Sequence, residues 1–154
     1  MVSGAAGATG SMVVQIAKHI VGCSKVIGLA GSNEKCRWVE SLGADVCINY
    51  KDADWKEQLK KATSGFVDMY FDNVGGEQLD FMLGRMKTYG RISACGAISG
   101  YNQQNVEGIK NWSQIIIQRL EVSSIAEIFD HSFITILPLL KSVKTRYDGR
   151  PSYL

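Results

Sequence analysis

Short runs of β-branched and apolar residues alternate along the chain with stretches whose apolar positions recur every three or four residues. The first pattern predicts strands and the second amphipathic helices. Met1–Ser3 reads as the end of a strand, Gly4–Gly10 as a glycine-rich turn, and Ser11–Ile20 as a helix. Lys25–Ala30 (KVIGLA) is predicted as a second strand. Ser32 is placed to cap the next helix, through Ser41, with Val39 and Leu42 inward. Ala44–Asn49 is a third strand, and Asp54 with Glu57 resembles a capping box opening a helix through Ala62. Val67–Phe71 is a fourth strand. Gly76–Met86 is a helix in which Leu79, Met82, Leu83 and Met86 make one buried face. Gly90–Ala94 is a fifth strand, Gly96–Gly108 a long loop, and Trp112–Arg119 a helix with Ile115 and Ile116 inward. Val122–Ile125 closes the pattern as a sixth strand.

Strands joined by helices in this way imply an α/β fold of the Rossmann type, a parallel sheet with helices on both faces and its first strand cut short. The regular unit is expected over residues 1–127. Residues 128–154 read as an atypical tail with a possible helix over Ser132–Val143, kinked near Pro138.

Composition narrows the function classes. At 154 residues the chain suits one domain, burying roughly two-thirds of its unfolded surface. A formal charge of +2 gives no basis for expecting nucleic acid or an anionic membrane as partner. The longest apolar run, Phe133–Leu140, is interrupted by Thr135 and Pro138 and falls far below the ~20 residues that span a bilayer. The opening MVSGAAGATG lacks the features of a secretory leader. Cys23, Cys36, Cys47 and Cys95 form no CxxC pair, which argues against a zinc knuckle or disulfide framework and suits a reducing, cytoplasmic compartment. His19 and His131 are not spaced as metal ligands, and no metal is expected.

The chemistry lies in GAAGATG, with Gly4, Gly7 and Gly10 between a strand end and a helix start. In that setting Gly7 lets backbone approach a pyrophosphate, Gly10 lets the helix pack closely, and the first helical amides face the phosphate charge. About twenty residues further on, where an NAD-preferring site usually carries Asp or Glu, this chain has Ala30, Gly31 and Ser32. Lys35, one turn into the next helix, is placed to pair with a 2′-phosphate, and Tyr50 with Lys51 to close the same pocket. The expected cofactor is therefore NADP(H). Plainer readings stand beside these: Lys35 as a solvated helix lysine, Tyr50 as a packed edge aromatic. Glu34 is the one nearby carboxylate.

Five stretches, SGAAGATGSMVVQIAK, GSNEKCRWVESLGAD, INYK, YFDNVGGEQLD and GRISACGAISGYN, together resemble the cofactor domain of the zinc-independent medium-chain dehydrogenase/reductase superfamily. Within it they are similar to the prostaglandin reductase, leukotriene B4 dehydrogenase and alkenal double-bond reductase group. The resemblance spans Ser3 to about Asn102 and continues more loosely through GIKNWSQIIIQRLEV.

It implies that Gly7, Ala8, Thr9 and Gly10 border the pyrophosphate, and that Ser32, Lys35 and Tyr50 line the 2′-phosphate side. Asn73 would approach the nicotinamide ribose. Cys95, Gly96, Ala97, Ile98 and Ser99 would run past the nicotinamide ring. Tyr101 would sit on the substrate side as the catalytic candidate. Asn73 also reads as a turn asparagine, and Tyr101 as an exposed loop tyrosine.

The implied reaction is NADPH-dependent reduction of the carbon–carbon double bond of an enone or enal. Quinone reduction, or a non-catalytic NADP(H)-binding or dimerisation module, remain alternatives. The family's N-terminal catalytic domain is not represented, so the chain is expected to bind cofactor without turning over alone. A homodimer through the sixth strand is a further expectation.

Overall fold

The computed structural model describes residues 1–100 and 108–124. Among the described residues there are five regular strands: β1 (Ile27–Ala30), β2 (Val46–Asn49), β3 (Val67–Asp72), β4 (Met86–Ala94) and β5 (Glu121–Ser124). All named pairings are parallel: β1 with β2, β3 with β4, and β4 with β5. Val2 bridges Gly28 on one side and Phe71 on the other, joining the two groups. Its N–H donates to Ile27 O and its carbonyl accepts from Leu29 N, each at 2.9 Å, while Ser3 N donates to Phe71 O at 3.0 Å. The predicted first strand is thus a one-residue bridge at the centre of the order β2–β1–Val2–β3–β4–β5. From Val2 the chain steps first towards β2 and later towards β5, so the order reverses where Val2 lies. Ligands bind outside the carboxyl ends of strands at such a reversal.

Helices cover both faces. Val13, Val14 and Ala17 of the first helical stretch join Val2, Val39 and Phe71 in one buried cluster. Trp55, Leu59, Met82 and Leu83 join Leu29, Ile48, Tyr70 and Ile92 in the other. Tyr70 and Phe71, adjacent on β3, point to opposite clusters, as the period of two requires.

Several elements differ from the sequence expectation. Helix α1 (Ala8–Gln15) starts three residues earlier than Ser11 and passes into a π-helical turn, Ile16–Ile20. The glycine turn is correspondingly shorter, because Gly10 already has helical backbone. Ser32 caps α2 (Asn33–Ser41) as expected, its hydroxyl accepting from Lys35 N at 3.2 Å. The Asp54 capping box does not form at α3 (Trp55–Ala62): Asp54 has φ −105° and ψ 16°, not the extended backbone that turns a cap side chain inward. Its carboxylate accepts instead from Gln58 Nε2 at 2.8 Å.

Helix α4 (Gly76–Leu83) ends before Met86, which is the first residue of β4 and pairs with Val67. The register jumps from Val67↔Met86 to Met69↔Arg91, so β4 bulges, with Tyr89 at φ 62°. This bulge carries the strand through Lys87–Gly90, which lacks an apolar alternation. Helix α5 (Ser113–Ile117) is short; Ile115 packs on the core but Ile116 is 74% exposed. One turn of helix can bury only one of two adjacent side chains. No helix among the described residues is long and apolar enough to cross a membrane. The expected tail helix and the expected boundary at residue 127 lie outside the described residues.

Candidate cofactor site

Four loops meet at the carboxyl edge of the sheet: the glycine turn, and the segments that follow β1, β3 and β4. In the first, Gly7 is the N-cap of α1, with φ −80° and ψ 168° and no side-chain cap bond. The first intrahelical bond is Ser11 N to Gly7 O at 2.9 Å. The amides of Ala8, Thr9 and Gly10 precede it and have no partner within the helix. Ala8 and Thr9 are exposed, and the first turn holds no acidic residue. Uncapped amides, a helix-dipole positive end and no competing carboxylate together suit an anionic group.

Glycine is required here by contact. A Cβ on Gly10 would lie 2.3 Å from Gly4 O and 2.9 Å from Ala5 Cα, both backbone atoms. Gly4 adopts φ 56°, and a Cβ there would meet Asn73 Cβ at 3.4 Å. Gly10 thus serves to close the turn on its own backbone, and Gly4 to bring that turn against the end of β3.

The segment after β1 is Gly31–Ser32, leading into α2. Lys35 is exposed in the first turn of that helix. Tyr50 follows β2, and its N–H donates to Ala30 O at 3.0 Å. Its hydroxyl then lies 2.8 Å from where a Gly31 Cβ would be, so the ring lies across the loop that Ser32 and Lys35 continue. Glu34 is exposed on α2. These residues form a polar, cation-bearing rim on the β1–β2 side of the switch point.

The segments after β3 and β4 form the other half. Asn73 N donates to Ser3 Oγ at 2.9 Å, and Asn73 Nδ2 to Ser3 O at 2.7 Å. Cys95 N and Gly96 N both donate to Asp72 O, at 2.7 and 3.2 Å. Ser99 closes the two loops together: its N–H and Oγ donate to Val74 O at 3.1 and 2.6 Å. Gly75 and Gly76, at φ 68° and 55°, make that closure possible; a Cβ on Gly76 would lie 2.6 Å from Ser99 Oγ. Ala97, Ile98 and Ser99 are exposed on this edge. Tyr101 lies outside the described residues.

Beneath both halves is a buried polar network that sequence reasoning missed. Asp72 is 1% exposed, and its Oδ1 accepts from Ser3 Oγ, Tyr70 OH, Val74 N and Gly75 N at 2.8–3.1 Å. Burial, reinforced by the Asp72 charge, pushes the Tyr70 hydroxyl well above its ordinary range. Burial and the same charge also push the Cys95 thiol up, so Cys95 stays protonated and a poor nucleophile. The four thiols are free. His19 bonds the Leu42 carbonyl at 3.0 Å. Among the described residues no three His, Cys, Asp or Glu are grouped to hold a metal ion.

The family described as zinc-binding dehydrogenase matches residues 8–142. The chain belongs to the zinc-binding dehydrogenase family. Prostaglandin reductase 1 of Mus musculus is 54% identical over 104 residues, covering 67% of this chain and 31% of that protein. The NADP(+)-dependent 2-alkenal reductase of Nicotiana tabacum is 40% identical over 154 aligned residues, 95% of this chain and 44% of the relative. Among solved structures, CurA of Vibrio vulnificus in complex with NADPH superposes with a TM-score of 0.76 at 37% identity, covering 96% of this chain and 44% of CurA. The chain therefore spans less than half the length of these relatives. Within the family it is related to the zinc-independent medium-chain reductases that the five sequence stretches resemble.

Proposed function

We propose that this chain is the NADP(H)-binding part of a reductase that acts on the carbon–carbon double bond of α,β-unsaturated carbonyls, including enones, enals and 15-oxoprostaglandin-like compounds. The observation that carries the reading is that Gly31 and Ser32 follow β1 where an NAD-preferring site would place a carboxylate, with the Tyr50 ring across Gly31 and Lys35 in the helical turn that Ser32 caps. The printed names of the relatives support it: a prostaglandin reductase, an NADP(+)-dependent alkenal reductase and an NADPH complex.

When bound, NADPH would supply a hydride to the β-carbon of the unsaturated carbonyl, and a proton from water would complete the reduction at the α-carbon. In this reading the amides of Ala8, Thr9 and Gly10 receive the pyrophosphate, with Gly7 leaving room for it. Ser32, Lys35 and Tyr50 receive the 2′-phosphate. Asn73 and Cys95–Ser99 flank the nicotinamide side. Tyr101 donates a hydrogen bond to the substrate carbonyl, stabilising the negative charge that develops on its oxygen. The residues orient and polarise, while the cofactor carries the redox chemistry.

Free thiols support a reducing, cytoplasmic setting. A homodimer through β5 is part of the same proposal, supported by the exposed Val122 on that strand, the last in the order among the described residues.

The test is a calorimetric titration of the 154-residue chain with NADPH and with NADH. NADPH is expected to bind at least about tenfold more tightly, the worth of one charge-assisted contact to the 2′-phosphate. A folded chain that binds neither ligand, or that prefers NADH, overturns the reading.

A further inference from the structure

Asp72 is used twice at the edge where the strand order reverses. Its side chain accepts four hydrogen bonds on one oxygen, from Ser3 Oγ, Tyr70 OH, Val74 N and Gly75 N. Its backbone carbonyl accepts the amides of Cys95 and Gly96. Ser3, whose hydroxyl reaches the carboxylate, also accepts the Asn73 amide on that hydroxyl and the Asn73 side chain on its carbonyl. Val74, held through its N–H, receives both bonds from Ser99. Asp72 thus fastens the end of the Val2 bridge, the loop after β3 and the loop after β4 to one another. None of these bonds reaches Gly31, Ser32, Lys35 or Tyr50.

We propose that Asp72 is a positioning residue for the nicotinamide half of the cofactor, setting Asn73 and the Cys95–Ser99 loop without itself touching the ligand. The inference rests on the NADP(H) reading and divides the site in two: an adenine half built on β1 and β2, and a nicotinamide half hung from one carboxylate. The division follows from the physical chemistry of the bonds. A charged acceptor makes hydrogen bonds roughly twice as strong as a neutral one. Two of its donors here are backbone amides of the loop itself, so a weaker acceptor lets that loop move. The adenine half has its own anchors in the Ser32 cap and the Tyr50–Ala30 backbone bond.

The experiment compares the wild-type chain with Asp72→Asn and Ser3→Ala. Asp72→Asn keeps the size and an acceptor oxygen but removes the charge. Ser3→Ala removes the hydroxyl that links Asp72 to Asn73. Each protein is titrated with NADPH and with adenosine 2′,5′-bisphosphate, which carries the adenine and 2′-phosphate but no nicotinamide. The emission of the bound dihydronicotinamide is recorded as a local report. Both variants are expected to bind NADPH about tenfold more weakly and to lose the wild-type emission change, while binding the bisphosphate as the wild type does.

Equal weakening for both ligands overturns the proposal, since the carboxylate would then serve the whole fold. Unchanged binding of both overturns it as well, as does failure of both variants to fold. A wild-type chain that binds the bisphosphate as tightly as NADPH, with no emission change, overturns the positioning role alone. A wild-type chain that binds neither removes the functional reading with it.

Discussion

Gly31 has no side chain, and the Tyr50 hydroxyl stands 2.8 Å from the place where a Cβ would be. The atom in the way is the tip of a side chain, so Gly31→Ala is expected to swing Tyr50 aside with little cost to the fold. Its expected signature is a severalfold loss of NADPH affinity in titration, with the thermal midpoint unchanged; a lowered midpoint would show that the glycine serves stability. Tyr70 offers a second test at this scale. Its folded-state pKa is raised by burial first and by Asp72 second. A neutral hydroxyl is therefore favoured in the folded chain, and that contribution is fully present below the ordinary pKa of about 10. Above it the unfolded chain sheds a proton that the folded one keeps, so stability falls by about 1.4 kcal/mol per pH unit. Urea unfolding between pH 9 and 11 is expected to show this slope, and Tyr70→Phe to lose that share of it.

The elements draw their stability from the two faces of the sheet. Leu59, in α3, is fully buried in the cluster that includes Trp55, Tyr70 and Ile92. Leu59→Ala is expected to cost about 2–5 kcal/mol in denaturant unfolding. Ile116, on the short α5, is mostly exposed, and Ile116→Ser is expected to change stability by no more than about 0.5 kcal/mol. Equal effects from the two would mean that α5 packs more deeply than this geometry allows. The pair also shows where periodicity misleads. Apolar spacing put Ile116 and Met86 on helical faces, yet Met86 is buried as the first residue of β4 and Ile116 faces solvent. Both positions are apolar, and the side they face depends on where an element ends: α4 ends at Gly84, before Met86, and α5 ends one residue after Ile116.

Across the molecule, the order β2–β1–Val2–β3–β4–β5 places every candidate among the described residues at one carboxyl edge. Among the described residues it leaves β5 at the end of the sheet, with Val122 exposed. If a second copy pairs there, sedimentation of the wild-type chain is expected to show a dimer, and Val122→Asp a shift towards monomer. A monomeric wild-type chain would sink the dimer and leave the cofactor site untouched. The α/β alternation, the glycine turn before α1, the Ser32 cap and the missing carboxylate after β1 were all legible in the chain. Each is carried by residues within about one turn or one strand of each other.

Local pattern determines which segments become strands and helices, and where uncapped helix amides follow a glycine turn, because backbone preference and burial period act over a few residues. Only the tertiary structure decided which distant groups share an oxygen. Ser3 and Asp72 are 69 positions apart, and nothing in the spacing of either announces the other. The same holds for Tyr50 lying over Gly31. These contacts exist because parallel strands bring their carboxyl ends together, and a buried polar atom then takes whichever partner the sheet order supplies.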